Sequence, residues 1–186
     1  MQQTLSAAKP HLHTFVTLSP VPGFRGWLEA RLALYAAQQA GEVGGRRGDP
    51  SAAAASFVSP DEALALSALQ HALTAAELTA AEAFERLVDD DAVSHWLLRL
   101  CARYLCLSTK RRRAQDPVAA FHLRNGAELL ALHWGANPSR RGLVQSAGIM
   151  ANYAYVPSCI EANHSAYVKT GTVLASAAVR ELAGDP

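Results

Sequence analysis

Apolar residues recur along this chain in two rhythms. Thr14-Phe15-Val16-Thr17-Leu18 is short, β-branched and apolar, and it is bounded by Ser19-Pro20 and Pro22-Gly23. This pattern predicts a buried strand that ends in a tight turn. Pro20 biases the preceding residue away from the α region, so Ser19 is expected to be extended at the strand's C-terminal edge, where open sheets tend to hold ligands. From Phe24 to Gln39 the spacing changes: Trp27, Leu28, Leu32 and Tyr35 recur as on a helix. Residues 41–56 are rich in Gly, Pro and small side chains and read as a loop or insertion. At Ser59-Pro60 the helical rhythm resumes. Ser59 or Asp61 suits an N-cap, Pro60 a first turn, and Leu66, Leu69 and Leu73 share a face.

A further helix is expected over about Ala92–Leu107, where Val93, Trp96, Leu97, Leu100, Tyr104 and Leu107 form a wide apolar stripe. The acidic Asp89-Asp90-Asp91 suits its N-terminus and the basic run Lys110–Arg113 its close. Past Asp116-Pro117 the character shifts. Glu128–Trp134 and Ile149–Val156 read as strands, separated by a loop with Asn137-Pro138 and Arg140-Arg141. Ile160–Lys169 and Thr172–Leu182 read as helices, the latter from Leu174, Ala178 and Leu182 at four-residue steps. The sum is an α/β (α+β) chain, with a few strands and a large helical insertion between the first and the second.

Composition narrows the function classes. The chain has 186 residues, enough for one domain with a sizeable core, and half of them are hydrophobic. Seventeen Lys and Arg against sixteen Asp and Glu leave +1, so no overall field draws in nucleic acid or an acidic membrane. Cys101, Cys106 and Cys159 cannot all pair with one another, and no CxxC spacing is present; free thiols in a reducing compartment are expected. No segment reaches the roughly 18 apolar residues of a membrane span. Met1–Pro10 lacks the apolar run of a secretory signal, and Ala183-Gly184-Asp185-Pro186 is no peroxisomal address. The cytoplasm is therefore the default.

Several familiar chemical signatures are missing from the sequence: the GxSxG elbow, the phosphate loop ending in Gly-Lys-Ser/Thr, the dinucleotide fingerprint and HExxH. His11 and His13 have no nearby Cys or carboxylate, so metal catalysis is not supported. Two segments do set polar residues in apolar surroundings, Thr17–Phe24 and Asp116–Ala127. A serine stiffened by two prolines and a histidine just ahead of a strand can manage protons when they meet. On spacing alone Ser19 reads first as a turn residue and His122 as a satisfied, half-buried imidazole, since nothing local shows that they meet. Trp27, Trp96 and Trp134 read as core aromatics, and Arg111, Arg112 and Arg113 as a solvated helix end that could also face phosphates.

The strings FVTLSPVPGFRGWL, DPVAAFHLRNGAEL, QSAGIMANYAY and IEANHSAY resemble signature segments of malonyl-CoA decarboxylases, in the order of that family and over nearly the whole chain. The resemblance implies a carboxy-lyase that converts malonyl-CoA to acetyl-CoA and CO2. It implies a partial acetyltransferase-like (GNAT-like) mixed sheet with C-terminal helices. It matches Ser19 to the family's catalytic serine, His122 to its catalytic histidine and Tyr155 to a tyrosine of the same site; Asn125 and Asn152 lie in matched segments without an assigned role. In such a site His122 would be the proton donor, Ser19 its partner at the malonyl group and Tyr155 a support. No metal or redox cofactor is implied, because the thioester serves as electron sink.

The resemblance also implies that residues 1–186 correspond to the C-terminal portion of the catalytic domain, without the family's N-terminal helical domain or the first half of the acetyltransferase-like core. The expectation is then a malonyl-CoA decarboxylase-like fragment whose activity alone is in question. Its partners would be malonyl-CoA, and a second copy or a complementing N-terminal half, with neither nucleic acid nor membrane. The alternatives are a non-catalytic interaction fragment and an acyl-CoA-binding or acyltransferase-like protein.

Overall fold

The computed structural model describes residues 14–41, 60–75, 91–110 and 113–184. The predicted loop over 41–56 and His11 and His13 lie outside these residues, apart from Gly41. Three strands form the central sheet in the order β1 (Phe15–Pro20), β5 (Met150–Tyr155), β4 (Glu128–His133). Both pairings are antiparallel, with Ser19 opposite Ala151, Thr17 opposite Tyr153 and Phe15 opposite Tyr155. A strand's side chains alternate between its two faces, so this register collects Phe15, Thr17, Ser19, Ala151, Tyr153 and Tyr155 on one face. A parallel bridge between Leu129 and Ala175 makes the pairing mixed.

Between β1 and β4 runs a mainly helical stretch of chain. Helix α1 (Phe24–Gln39) has the bounds its periodicity predicts and buries Phe24 and Leu28. Helix α2 (Pro60–Ala75) begins with proline in its first turn, where a missing N–H costs nothing, and it buries Ala65, Leu66 and Leu69. Helix α3 (Asp91–Leu107) buries Val93, Leu97, Leu100, Cys101, Ala102, Tyr104 and Leu105. Each fully buried Leu or Phe contributes on the order of 1.5–3 kcal/mol through removal from water, so this layer accounts for much of the fold's stability. A polar link joins α1 to α2: the Arg31 guanidinium donates to both carboxylate oxygens of Glu62, at 3.2 and 2.9 Å. Trp27, Trp96 and Trp134 pack half-buried against the core, as core aromatics should.

The sequence reading needs four corrections, the first at β1: the pattern predicts a buried strand, but Val16 and Leu18 stand 51% and 53% exposed on the face away from Ser19. The basic run after α3 does not close the helix; Thr109–Lys110 (β2) pairs antiparallel with Arg113–Ala114 (β3) in a short hairpin. Residues 117–124, to which the sequence reading assigns no element, form a helix, α4 (Pro117–Arg124), because Asp116 caps it and Pro117 presets its first turn. The segment between β4 and β5 contains α5 (Arg140–Ser146), capped by Ser139 and ended by Ala147 in the left-handed region. It is short and carries Gly142, so no apolar rhythm reveals it. Finally, the last predicted helix begins late. Residues before Ser176 are extended: the Leu129 N–H donates to Leu174 O and the Ser176 N–H to Leu129 O. Helix α7 (Ala177–Ala183) starts only after its Ser176 cap. Helix α6 (Ile160–Thr170) lies close to its expected bounds. Among the described residues no helix is long and apolar enough to cross a membrane.

Candidate active site

Ser19, His122 and Tyr155 come from three separate elements and meet on one face of the sheet. Strand β1 carries Ser19 toward its C-terminal end, as the Pro20 argument requires. Helix α4 crosses that face and presents His122, which is 8% exposed, near its own C-terminus. Strand β5 supplies Tyr155. The Ser19 hydroxyl lies 3.0 Å from His122 Nε2, and the Tyr155 hydroxyl 2.7 Å from His122 Nδ1. Both are ordinary hydrogen-bond lengths. The imidazole therefore spans the gap between β1 and the far end of β5 with both nitrogens engaged.

Three further residues shape this constellation. Tyr153 stands between Ala151 and Tyr155 on the same face, and its ring lies under the imidazole at 4.3 Å between centroids and 15° between planes. The Tyr153 hydroxyl is buried and has no hydrogen-bond partner among the described residues. Thr17, two residues before Ser19, places its hydroxyl 3.1 Å from that of Ser19. Asp116, 1% exposed, caps α4. Its Oδ1 accepts from the Val118 and Ala119 N–H groups at 2.9 and 3.0 Å, and its Oδ2 accepts from the Gly23 N–H at 3.0 Å.

Glycine is required twice around the site. A side chain on Gly23 would collide with the Tyr104 hydroxyl, its Cβ lying 2.2 Å from that oxygen. Gly126, which turns α4 into β4, has φ +80 and lies against the Ile160 backbone so closely that a Cβ would stand 2.3 Å from its oxygen. Asn125 and Asn152 stand apart from the imidazole. Asn125 donates to Phe121 O within α4. Asn152, on the opposite sheet face, donates to Thr17 O and hydrogen-bonds His133.

Burial lowers the His122 pKa below its ordinary value of about 6.5. The shift favours the neutral ring. A neutral imidazole has one donor and one acceptor nitrogen. Either Ser19 donates to Nε2 while Nδ1–H donates to Tyr155, or Tyr155 donates to Nδ1 while Nε2–H donates to Ser19. Burial also raises the pKa of Tyr155, keeping that phenol protonated. Among the described residues no group of three or more His, Cys, Asp or Glu side chains is arranged to hold a metal ion. Arg113 is exposed on β3, and Arg111 and Arg112 lie outside the described residues.

Thr17, Asp116 and Tyr153 escaped sequence reasoning, though each left a signal. Strict alternation along β1 places Thr17 on the face of Ser19, and alternation along β5 does the same for Tyr153 and Tyr155. Asp-Pro ahead of an apolar run is a helix-start signature, which identifies Asp116 as a cap but not its second contact at Gly23.

Known proteins with this sequence and shape agree with one another. The profile of the malonyl-CoA decarboxylase C-terminal domain matches residues 1–185. The mitochondrial malonyl-CoA decarboxylase of Anser anser anser is 35% identical over 167 residues, covering 90% of this chain and 31% of that protein. That of Rattus norvegicus is 31% identical over 183 residues, covering 93% and 33%. Among solved structures, the malonyl-CoA decarboxylase of Rhodopseudomonas palustris superposes with a TM-score of 0.68 at 32% identity, over 97% of this chain and 36% of that one. The enzyme of Cupriavidus metallidurans gives 0.66 at 29%, over 97% and 41%. The chain thus spans about a third of the length of the curated relatives it matches. Profile, relatives and shape converge over almost every residue from β1 to α7, and the chain belongs to the malonyl-CoA decarboxylase family.

Proposed function

We propose that this chain carries the acid–base half of a malonyl-CoA decarboxylase site, releasing CO2 from malonyl-CoA to leave acetyl-CoA. The observation that carries the reading is the hydrogen-bonded run from Ser19 through His122 to Tyr155. Cleavage of the bond between the α-carbon and the carboxylate leaves its electron pair on the thioester as an enolate. A donor aimed at the enolate oxygen lowers the barrier, and holding the carboxylate perpendicular to the carbonyl plane aligns the breaking bond. The α-carbon then takes a proton. Ser19, at the malonyl end of the run, passes it on from His122. That ring first takes up a proton from solvent and returns to neutral as it gives it up, while Tyr155 holds it at its other nitrogen. The thioester takes the electron pair, so the reading invokes no metal or redox group.

The reading treats residues 1–186 as the C-terminal portion of a catalytic domain. Support comes from the C-terminal-domain profile over residues 1–185 and from the longer relatives. Full activity then draws on an N-terminal half, and a second copy of the chain is the other partner to be tested. The cytoplasm is the compartment we propose, supported by three free thiols, Cys101, Cys106 and Cys159.

The test is CO2 release from malonyl-CoA by the purified chain, with and without an added N-terminal half, against His122→Ala in both conditions. Release that requires His122 is the expected result. Acyl transfer or acyl-CoA binding without CO2 release, indifferent to His122, would instead identify an acyltransferase-like or binding protein.

A further inference from the structure

We infer that Asp116 is a positioning residue that sets the Ser19–His122 distance by tying the turn after β1 to the helix that carries the histidine. The inference rests on the acid–base reading of that pair, but its geometry stands by itself. Ser19 and His122 are 103 residues apart, and their side chains meet at 3.0 Å. Strand β1 leaves the sheet through Pro20, Val21 and Pro22 and turns at Gly23 into α1. The Gly23 N–H there donates to Asp116 Oδ2. The other oxygen of the same carboxylate takes two N–H groups of the first turn of α4. Six residues on, the same helix presents His122.

One buried carboxylate therefore holds both supports of the pair. It reaches the β1 side four residues after Ser19 and the α4 side six residues before His122. The Tyr104 hydroxyl of α3 fills the space beside this turn that a Gly23 side chain would take. Three backbone N–H donors from two separate parts of the chain thus converge on the one side chain of Asp116. A shift of about 1 Å between reacting groups can cost on the order of 100-fold in rate, so a clamp of this kind matters although it touches no substrate.

A cap alone does not need a carboxylate. Asparagine caps helices as well as aspartate does, which makes Asp116→Asn a selective probe. Its amide oxygen can still accept from Val118 and Ala119, but its NH2 then faces the Gly23 N–H, donor against donor. Turning the amide over restores the Gly23 contact and forfeits both cap bonds. The variant keeps the helix start and cuts the link to β1.

The experiment reads the imidazole directly. In 15N-histidine-labelled full chain, Ser19→Ala is introduced into the wild type and into Asp116→Asn, and the change in His122 Nε2 chemical shift is compared. Coupling through the clamp predicts a clear shift in the wild type that shrinks at least severalfold in Asp116→Asn. Leu66→Ala, a core variant remote from the carboxylate, should retain it. An undiminished response in Asp116→Asn overturns the inference.

Should Asp116→Asn fail to fold, Asp116→Ser takes its place, keeping a capping hydroxyl and dropping the second oxygen. Hydrogen exchange of the Gly23 N–H in the wild type decides the matter without any variant. Protection matching the first-turn amides of α4 supports the clamp, and exchange at the rate of an open turn overturns it. Turnover separates this inference from the functional reading beneath it. On malonyl-CoA with an added N-terminal half, Asp116→Asn should lower kcat about 10- to 100-fold with KM little changed. A chain with no turnover in any form, yet with intact Ser19–His122 coupling that Asp116→Asn removes, would refute the decarboxylase reading and leave the clamp standing.

Discussion

Around His122, four elements meet through contacts that depend on direction. Ser19 and Tyr155 address opposite nitrogens of one ring, Tyr153 lies flat beneath it, and Asp116 fastens its helix to the turn at Gly23. In the layer made by α1, α2, α3 and α7 the contacts are of another kind. Leu28, Leu66, Leu69, Leu97, Leu100 and Leu105 are fully buried against one another's helices, with the Arg31–Glu62 pair as a polar seam. Apolar burial is strong but non-directional, and cores tolerate exchange of similar shapes. A hydrogen-bonded junction gains less net energy per contact, yet it fixes distances to tenths of an ångström. The layer supplies stability and the junction spends little of it to hold geometry, so substitutions in the two regions should separate along those lines.

The largest expected effect falls in the junction. His122→Ala should lower the rate of CO2 release about 10²- to 10⁴-fold, the range of a lost acid–base group, while the unfolding midpoint moves little by comparison. Measured turnover close to that of the wild type would erase the contrast. Next comes the layer: Leu97→Ala, at a fully buried site in α3, should cost about 2–5 kcal/mol in denaturant unfolding. Turnover per folded molecule should be nearly unchanged.

The junction also carries a pH signature. Folding lowers the pKa of His122, so the unfolded chain binds more protons at pH values just below its ordinary value. Stability is fully present above about pH 6.5 and is lost as pH falls toward and through the lower folded value. Replacing His122 with glutamine should flatten that part of the stability profile, and the His122 resonance itself should titrate below 6.5. The smallest effect is expected from Tyr153→Phe, which keeps the ring under the imidazole and deletes a buried hydroxyl that has no partner among the described residues. Stability should stay within about 1 kcal/mol or rise, because an unpaired buried polar group is itself a cost. A marked loss would mean that the hydroxyl has a role in the junction after all.

The legibility of the sequence follows the same division. Helices α1, α2 and α3 were readable because a long amphipathic stripe repeats its signal over several turns. Strands β1, β4 and β5 were readable from apolar runs ended by turn residues. The short helices α4 and α5 were not, since eight and seven residues offer barely two turns of periodicity and their caps do the specifying. Residues 172–176 looked helical because Leu174 falls in step with Ala178, but the hydrogen bonds of Leu129 draw that stretch against β4 instead. At the site, Ser19, His122 and Tyr155 were named through family resemblance. Nothing local joins residues so far apart, and the roles of Asp116 and Tyr153 depend on contacts across 93 residues and on ring stacking, which no spacing encodes.

The two margins of the sheet are not equivalent. The β4 side is already taken by the strand-like stretch leading to Ser176, whose N–H and hydroxyl engage Leu129 O and Leu130 O. On the β1 side no backbone partner is found among the described residues, and Val16 and Leu18 stand 51% and 53% exposed on the face away from His122. A segment pairing in extended conformation along β1 would lie one strand-width, about 4.8 Å, from the Ser19 backbone.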